Sequence, residues 1–217
     1  ERIVTYYGTE RTPEYLAIFM EYVPGRSIHA RLVEYGAFSD DLVKKYTKQV
    51  LEGLVYLHEN KIVHRDIKGA NVLADSSGNI KLADFGASKR LQSIKSVSGH
   101  KSVHGTPYWM SPEAIQGSSQ TTYKSDIWSV GALVVEMTTT HPPFWEHNPM
   151  TALFKIAHID DVQLIIPSEI SNIAQKFITR CFDKYVETPP DNLSCFVEIV
   201  VVLLISVWLL LFYHWWW

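Results

Sequence analysis

Two short runs rich in β-branched and aromatic residues, 3–7 (IVTYY) and 15–22 (YLAIFMEY), flank a turn-like segment at 9–13 and predict a pair of strands. Pro24 and Gly25 break the extended run. Apolar residues then recur at helical spacing over 28–35 and stop at Gly36. Ser39, Asp40 and Asp41 open a longer helix, in which Leu42, Tyr46, Val50, Leu54 and Leu57 share one face and which ends near Asn60. Short apolar pieces at 62–63 and 72–73 precede a turn at 76–79 and a strand at 80–83. Residues 86–108 mix glycines, serines and basic residues without period, which predicts a long mobile loop. Over 125–139, Ile127, Trp128, Val130, Leu133, Val134 and Met137 lie nearly all round the helix, the pattern of a buried one. His141 and two prolines end it, and amphipathic helices follow at 150–158 and 170–182. The expected class is α+β, a largely helical body with a few hairpins.

One segment departs from this pattern. Residues 199–213 (IVVVLLISVWLLLFY) carry Ser206 as their only polar residue, and three tryptophans close the sequence. The rest is ordinary for a globular chain of 217 residues, with 47% apolar and 20% charged residues. A net charge of −3 gives no reason to expect nucleic acid as partner. Cys181 and Cys195 are too few for a disulfide framework and lack metal-ligand spacing, which favours the cytosol. Residues 1–20 show no secretory signal pattern.

The chemistry concentrates at 64–71 (HRDIKGAN) and 84–86 (DFG). Phosphoryl transfer needs positioning and charge neutralisation more than covalent chemistry. A carboxylate orients the acceptor hydroxyl and takes its proton, a lysine neutralises the moving group, and carboxylate and amide oxygens suit magnesium. Asp66, Lys68, Asn71 and Asp84 supply these parts.

With GTPYWMSPE at 105–113 and SDIWSVG at 125–131, the set of four motifs in order resembles eukaryotic protein kinases. The stretches IVHRDIKGANVL, KLADFGASKRLQS and ERIVTYYG are similar to the MAP kinase kinase kinases of the MEK-kinase group, and the likeness covers roughly residues 1–187. Lys68 followed by Gly-Ala-Asn, and Thr106 ahead of the SPE segment, resemble serine/threonine rather than tyrosine kinases.

The resemblance implies a division of the chain. Residues 1–23 are a remnant of the small lobe with the hinge. Residues 24–187 are the large lobe, with its catalytic loop at 62–73 and activation segment at 84–113, and 188–217 are an apolar tail foreign to the family. It implies ATP and Mg2+, with Asp66 as catalytic base, Lys68 on the γ-phosphate, and Asn71 and Asp84 as metal ligands. Met20 is the implied gatekeeper, Glu21 and Val23 bond the adenine edge, Leu73 forms its floor, and Ser27 joins the nucleotide-binding set. His64, Arg65, Thr106, Glu113 and Asp126 are structural, Asp126 by bonding the catalytic-loop backbone. The other eight histidines are expected at the surface or in loops. Ser102, and less closely Ser98, match regulatory phosphosites, where about −2 of added charge can pair with Arg65. The implied partners are a MAP kinase kinase as protein substrate and an upstream activating kinase, or autophosphorylation.

Three departures carry expectations. The family's Gly-rich loop, strand lysine and helical glutamate are not among these residues, so small-lobe strands 1–3 and helix C are expected to be absent, as in a fragment or partial gene product. Phosphate transfer by the 217 residues alone is then doubtful, and the alternative is an inactive binding module for kinase partners. The arginine that pairs with the glutamate matching Glu113 is replaced by Thr188, so Glu113 must find another partner or cost the large lobe about 3–5 kcal/mol. The tail 199–217 is long enough for a membrane-crossing helix, and the open readings are a misjoined segment, a genuine membrane tail or a substitute packing helix.

Overall fold

Helical periodicity in the sequence becomes a helical body in the computed structural model, which describes residues 1–85, 89–90, 106–117, 123–159 and 166–183. Glu1–Phe182 form one compact unit. Its strands are β1 (Tyr6–Arg11), β2 (Leu16–Met20), β3 (Ile62–Val63), β4 (Val72–Ala74), β5 (Ile80–Leu82) and β6 (Lys89–Arg90). Its helices are α1 (Ile28–Tyr35), α2 (Asp40–Glu59), α3 (Pro112–Ile115), α4 (Tyr123–Thr139), α5 (Pro149–Ala157) and α6 (Asn172–Cys181). The strands pair antiparallel as β1–β2, β3–β6 and β4–β5.

The centre of the unit is α4, whose residues from Ser125 to Met137 are all buried. Such a helix contributes apolar surface in every direction, at about 1.5–3 kcal/mol for each large side chain buried. Helix α2 packs one face against it and β5, burying Tyr46, Val50, Leu54 and Leu57. Helix α6 crosses α4 at Gly131, where a Cβ would sit 2.7 Å from that of Cys181 and 2.9 Å from the Phe182 ring. The Trp128 and Phe182 rings meet beside it at 4.5 Å.

Helix starts follow the polar residues ahead of them. Ser27, Asn148 and Ser171 cap α1, α5 and α6 through side-chain oxygens that accept backbone N–H groups. Ser39 makes no such bond, and Asp40 and Asp41 instead place negative charge in the first turn of α2.

The N-terminal strands correct the expected register. The first strand lies at Tyr6–Arg11 rather than 3–7, and the reversal falls at 12–15, where Thr12 N–H bonds Tyr15 O, rather than at 9–13. Ile3 forms a parallel bridge to Leu82 instead, with Val4 N–H bonded to Leu82 O and Leu82 N–H to Arg2 O. Burial decides this pairing, because Val4 is covered against β5 whereas the hairpin residues are exposed. The expected loop at 86–108 is also regular in part: Lys89–Arg90 pair with β3, and Pro107–Trp109 form a 3-10 turn. Among the described residues no helix is long and apolar enough to cross a membrane, and the tail 199–217 lies outside them.

Candidate active site

The loop after β3 is held open for chemistry by two buried groups. Asp126, on the first turn of α4, is fully buried and accepts three hydrogen bonds. Its Oδ2 takes the His64 N–H at 2.9 Å and faces His58 Nε2 at 2.8 Å, and its Oδ1 takes the Arg65 N–H at 2.8 Å. These bonds hold Arg65 at a φ of 71°, a left-handed conformation that a non-glycine residue adopts only when its surroundings fix it. His64 is buried beneath the loop: its Nδ1 accepts the Asp66 N–H, so Nε2 carries the proton and donates to Ala83 O at 3.2 Å. Burial pushes this imidazole below its ordinary range, which keeps it neutral in that tautomer.

The turn so formed presents Asp66 with three donors around its carboxylate. Lys68 Nζ and Asn71 Nδ2 each donate to Oδ2 at 2.8 Å, and the Thr106 hydroxyl donates to Oδ1 at 2.9 Å. Partial burial pushes the Asp66 carboxyl up, but the bonds from Lys68, Thr106 and Asn71 outweigh it and hold the group below the usual carboxylate range. Lys68 Nζ also reaches Thr106 Oγ1 at 2.6 Å, so the 64–71 loop and the 106–110 segment meet at the Asp66 carboxylate. The Asn71 Oδ1 receives no hydrogen bond from the described residues. Asn71 O accepts the Ala83 N–H at 2.9 Å, which sets the next residue, Asp84, beside the loop at a φ of 63° with its side chain exposed. The Phe85 ring then packs 5.0 Å from His64. Asp66, Lys68, Asn71 and Asp84 thus gather at one end of the β4–β5 hairpin.

Val23 is buried with Val4 and Ala83, and Leu73 packs against them as a small apolar platform. Glu21 makes an ion pair with Lys81 at 2.6 Å, and its side chain also takes the Thr5 N–H at 3.1 Å. The Lys81 bond, then that from Thr5, keeps the carboxyl below its usual range. Ser27 bridges to Leu73, and its hydroxyl oxygen is engaged as the α1 cap. Met20, the implied gatekeeper, is 53% exposed, because the described residues place no layer over the β1–β2 hairpin.

Glu113 is partly exposed and accepts the Ser125 hydroxyl at 2.8 Å, so it has found another partner; Thr188 lies outside the described residues, as do Ser98 and Ser102.

Three contributors escaped the sequence reading. His58 is buried on α2 against Asp126, and its ring lies 4.5 Å from that of Tyr123, which corrects the expectation that every histidine but His64 sits at the surface or in loops. Glu136 is 1% exposed near the end of α4 and takes hydrogen bonds from the Gly69 N–H and the Trp109 indole. His29, on α1, completes its surroundings. The available signal for Glu136 was an acid within an otherwise apolar helix, since such residues are almost never fully buried without partners.

A buried scaffold therefore presents one carboxylate, one lysine, one amide and a second carboxylate together, the set for which the sequence resembles protein kinases. The protein kinase domain family matches residues 1–191, and the chain belongs to that family. It is 54% identical over 185 residues to mitogen-activated protein kinase kinase kinase 3 of Homo sapiens, covering 84% of this chain and 29% of the relative. It is 44% identical over 182 residues to mitogen-activated protein kinase kinase kinase 3 of Arabidopsis thaliana, at the same two shares. Against mitogen-activated protein kinase kinase kinase A of Dictyostelium discoideum it is 45% identical over 192 residues, 88% of the chain and 20% of the relative. The chain therefore spans under a third of the length of these curated relatives.

Proposed function

We propose that the protein is the large-lobe and hinge part of a serine/threonine kinase that transfers the ATP γ-phosphate to MAP kinase kinases in the cytosol. The observation that carries the reading is the Asp66 carboxylate, kept ionised by Lys68, Asn71 and Thr106 at hydrogen-bond distance. An ionised carboxylate there can accept the proton of an incoming serine or threonine hydroxyl. Lys68 shares that carboxylate and can lean to the transferred phosphoryl group as charge develops. The Val4–Val23–Leu73–Ala83 platform offers an apolar seat for the adenine ring, with Met20 and the Glu21 and Val23 backbone along its edge and Ser27 nearby. Asn71 Oδ1 and the exposed Asp84 carboxylate are oxygen donors suited to magnesium, which when bound neutralises phosphate charge.

Regulation through phosphorylation at Ser102 or Ser98, by an upstream kinase or by the kinase itself, fits the state of Arg65. Its guanidinium is half-buried, hydrogen-bonds none of the described residues, and is pulled below its ordinary range by burial. A phosphoryl group is the complementary partner for such a cation. The MAP kinase kinase substrate rests on the likeness to relatives named mitogen-activated protein kinase kinase kinases.

The Gly-rich loop and strand lysine that the resemblance implies are not among these 217 residues, so the test supplies them. Residues 1–182 are grafted in place of the matching segment of the human relative's kinase domain, and radiolabelled phosphate transfer to an inactive MAP kinase kinase is measured. The chimera is expected to transfer phosphate, and Asp66→Asn to reduce transfer by roughly a hundredfold or more. An Asp66→Asn chimera as active as its parent would sink the reading.

A further inference from the structure

We infer that Arg31 is a positioning residue that brackets the linker 24–27 to the β4–β5 turn and so fixes where Val23 and Ser27 lie against Leu73. Its consequence for nucleotide binding rests on the kinase reading, whereas the bracket is a matter of geometry alone. Arg31 projects from the first turn of α1 and is partly buried. Its Nε donates to Gly25 O at 2.8 Å, Nη2 to Asp75 O at 3.3 Å and Nη1 to the buried Tyr46 hydroxyl at 3.2 Å. A guanidinium presents its donors as a planar fork. Here two backbone carbonyls and a tyrosine fill that fork, where an ion pair would offer a carboxylate.

The linker is strained and needs such a bracket. Arg26 has a φ of 67°, a left-handed conformation that persists in a non-glycine residue only when its surroundings fix it. Arg31 holds the carbonyl before it, and Arg26 O accepts the Ala74 N–H at 2.9 Å. The Arg26 side chain itself is exposed and pairs with Glu34 at 3.0 Å, a surface contact of little weight. Asp75, the far anchor, belongs to a turn closed on itself. Its Oδ1 accepts the Ser77 and Asn79 N–H groups at 2.8 Å, and its carbonyl the Gly78 N–H at 3.2 Å. A strained segment is thus tied to a rigid one. Gly25 allows the close fit: a Cβ there would collide with Ala74 O and lie 2.7 Å from Asp75 O.

The two ends of the linker give the bracket its consequence. Upstream, Val23 belongs to the apolar platform with Val4 and Ala83, against which Leu73 packs. Downstream, Ser27 bridges to Leu73 and accepts the Ala30 N–H at 3.2 Å as the α1 cap. The Arg31 N–H is bonded to Ser27 O at 3.1 Å, so the fork and the cap belong to one helical turn. Without the fork the linker is free to leave its left-handed turn and carry Ser27 off the platform edge. Asp66, Lys68 and Asn71, to which Arg31 makes no hydrogen bond, keep their own contacts.

Amide hydrogen exchange on the 217-residue chain reads the bracket without nucleotide. The reporters are Ala74, whose N–H rests on Arg26 O, and Ala30, whose N–H rests on Ser27. Arg31→Ala is expected to speed exchange at both by about tenfold, as the bonds from a charged donor are lost. Arg31→Lys, which keeps the charge but cannot span both carbonyls, is expected to loosen them by at least about threefold. The Ile80 amide, bonded to Gln49, and the amides of α6 serve as controls. In the chimera, Arg31→Ala is expected to raise KM for ATP about fivefold with kcat within about twofold. Unchanged exchange at Ala74 and Ala30 in Arg31→Ala would overturn the inference. So would an increase shared equally by Ile80 and α6, protection in Arg31→Lys equal to the parent's, or a fall in kcat with KM unmoved. A chimera without phosphate transfer, alongside loosening at Ala74 and Ala30, would sink the kinase reading and leave the bracket intact.

Discussion

Asp126→Asn isolates what the buried carboxylate does for the 64–71 loop, because it preserves shape and removes one acceptor. An asparagine can place its oxygen where Oδ2 now lies, keeping the His64 N–H and His58, but its NH2 then faces the Arg65 N–H that Oδ1 accepts at 2.8 Å. Two donors confront each other in a fully buried place. An unpaired buried donor costs about 1–3 kcal/mol, and the two remaining bonds lose the strength that a charged acceptor gives. Arg65 also loses the bond that offsets its left-handed backbone, itself worth about 1–3 kcal/mol of strain. Together these give a loss of roughly 3 kcal/mol. For a domain of this size, that lowers Tm by roughly 6–12 °C. Urea unfolding followed by circular dichroism should show the midpoint fall with an unchanged slope, and exchange at the Arg65 amide should rise more than in α6. A loss under about 0.5 kcal/mol, with the Arg65 amide as protected as before, would refute the reasoning.

Gly69→Ala should lose about 1–3 kcal/mol in the same urea assay, because its Cβ would fall 2.5 Å from the Glu136 carboxylate and push it off its buried donors; a loss below about 0.5 kcal/mol would mean that Glu136 yields freely. Asp66 and Glu136 should shape the pH dependence of stability with opposite signs. Asp66, held below its ordinary value near 3.8, stabilises the fold above that pH and loses its contribution as pH falls, so Asp66→Asn should flatten the acid limb of a pH–stability profile. Glu136, raised above its ordinary value near 4.5, favours the fold below that pH and loses this as pH rises through its folded pKa, so Glu136→Gln should remove a decline there. Finally, Ile18→Lys on the exposed β1–β2 hairpin should leave stability within about 0.5 kcal/mol and reduce self-association in analytical ultracentrifugation; a large stability loss would show that the strand is covered.

What the sequence revealed depended on the range of the interaction. Helices α1 and α2 were legible almost to the residue, since caps and a repeating apolar face are local signals. Asp66, Lys68 and Asn71 were legible for the same reason: their bonds to one another span at most five positions. The first strand was not, because Ile3 and Val4 satisfy the same apolar pattern whether they join the hairpin or, as they do, β5. The partner of Glu113 was hidden likewise: replacement of the family's arginine by threonine called for another partner or a cost, and only the packing of α4 brings Ser125 into that role. Burial of His58 and Glu136 needed the packing of α2 and α4 and the path of two loops, none of which a single window of sequence contains.

The two buried acids of α4 explain why a helix so apolar retains charge. Asp126 and Glu136 lie about ten residues apart, roughly 15 Å along the helix axis. One holds the N–H groups of His64 and Arg65, the other the N–H of Gly69, so the 64–71 loop is pinned on both sides of Asp66 by a single rigid element. Had these partners come from separate loops, each would add its own freedom to the position of the carboxylate. Drawn from one helix that is buried all round, they share its rigidity, and misplacement of Asp66 requires α4 itself to move against α2 and α6. Buried carboxylates are poor sources of stability on their own. Here their worth lies in geometry: backbone N–H groups of the 64–71 loop that strands and helices leave without partners are satisfied from the core, and the side chains of Asp66, Lys68 and Asn71 are left to bond one another.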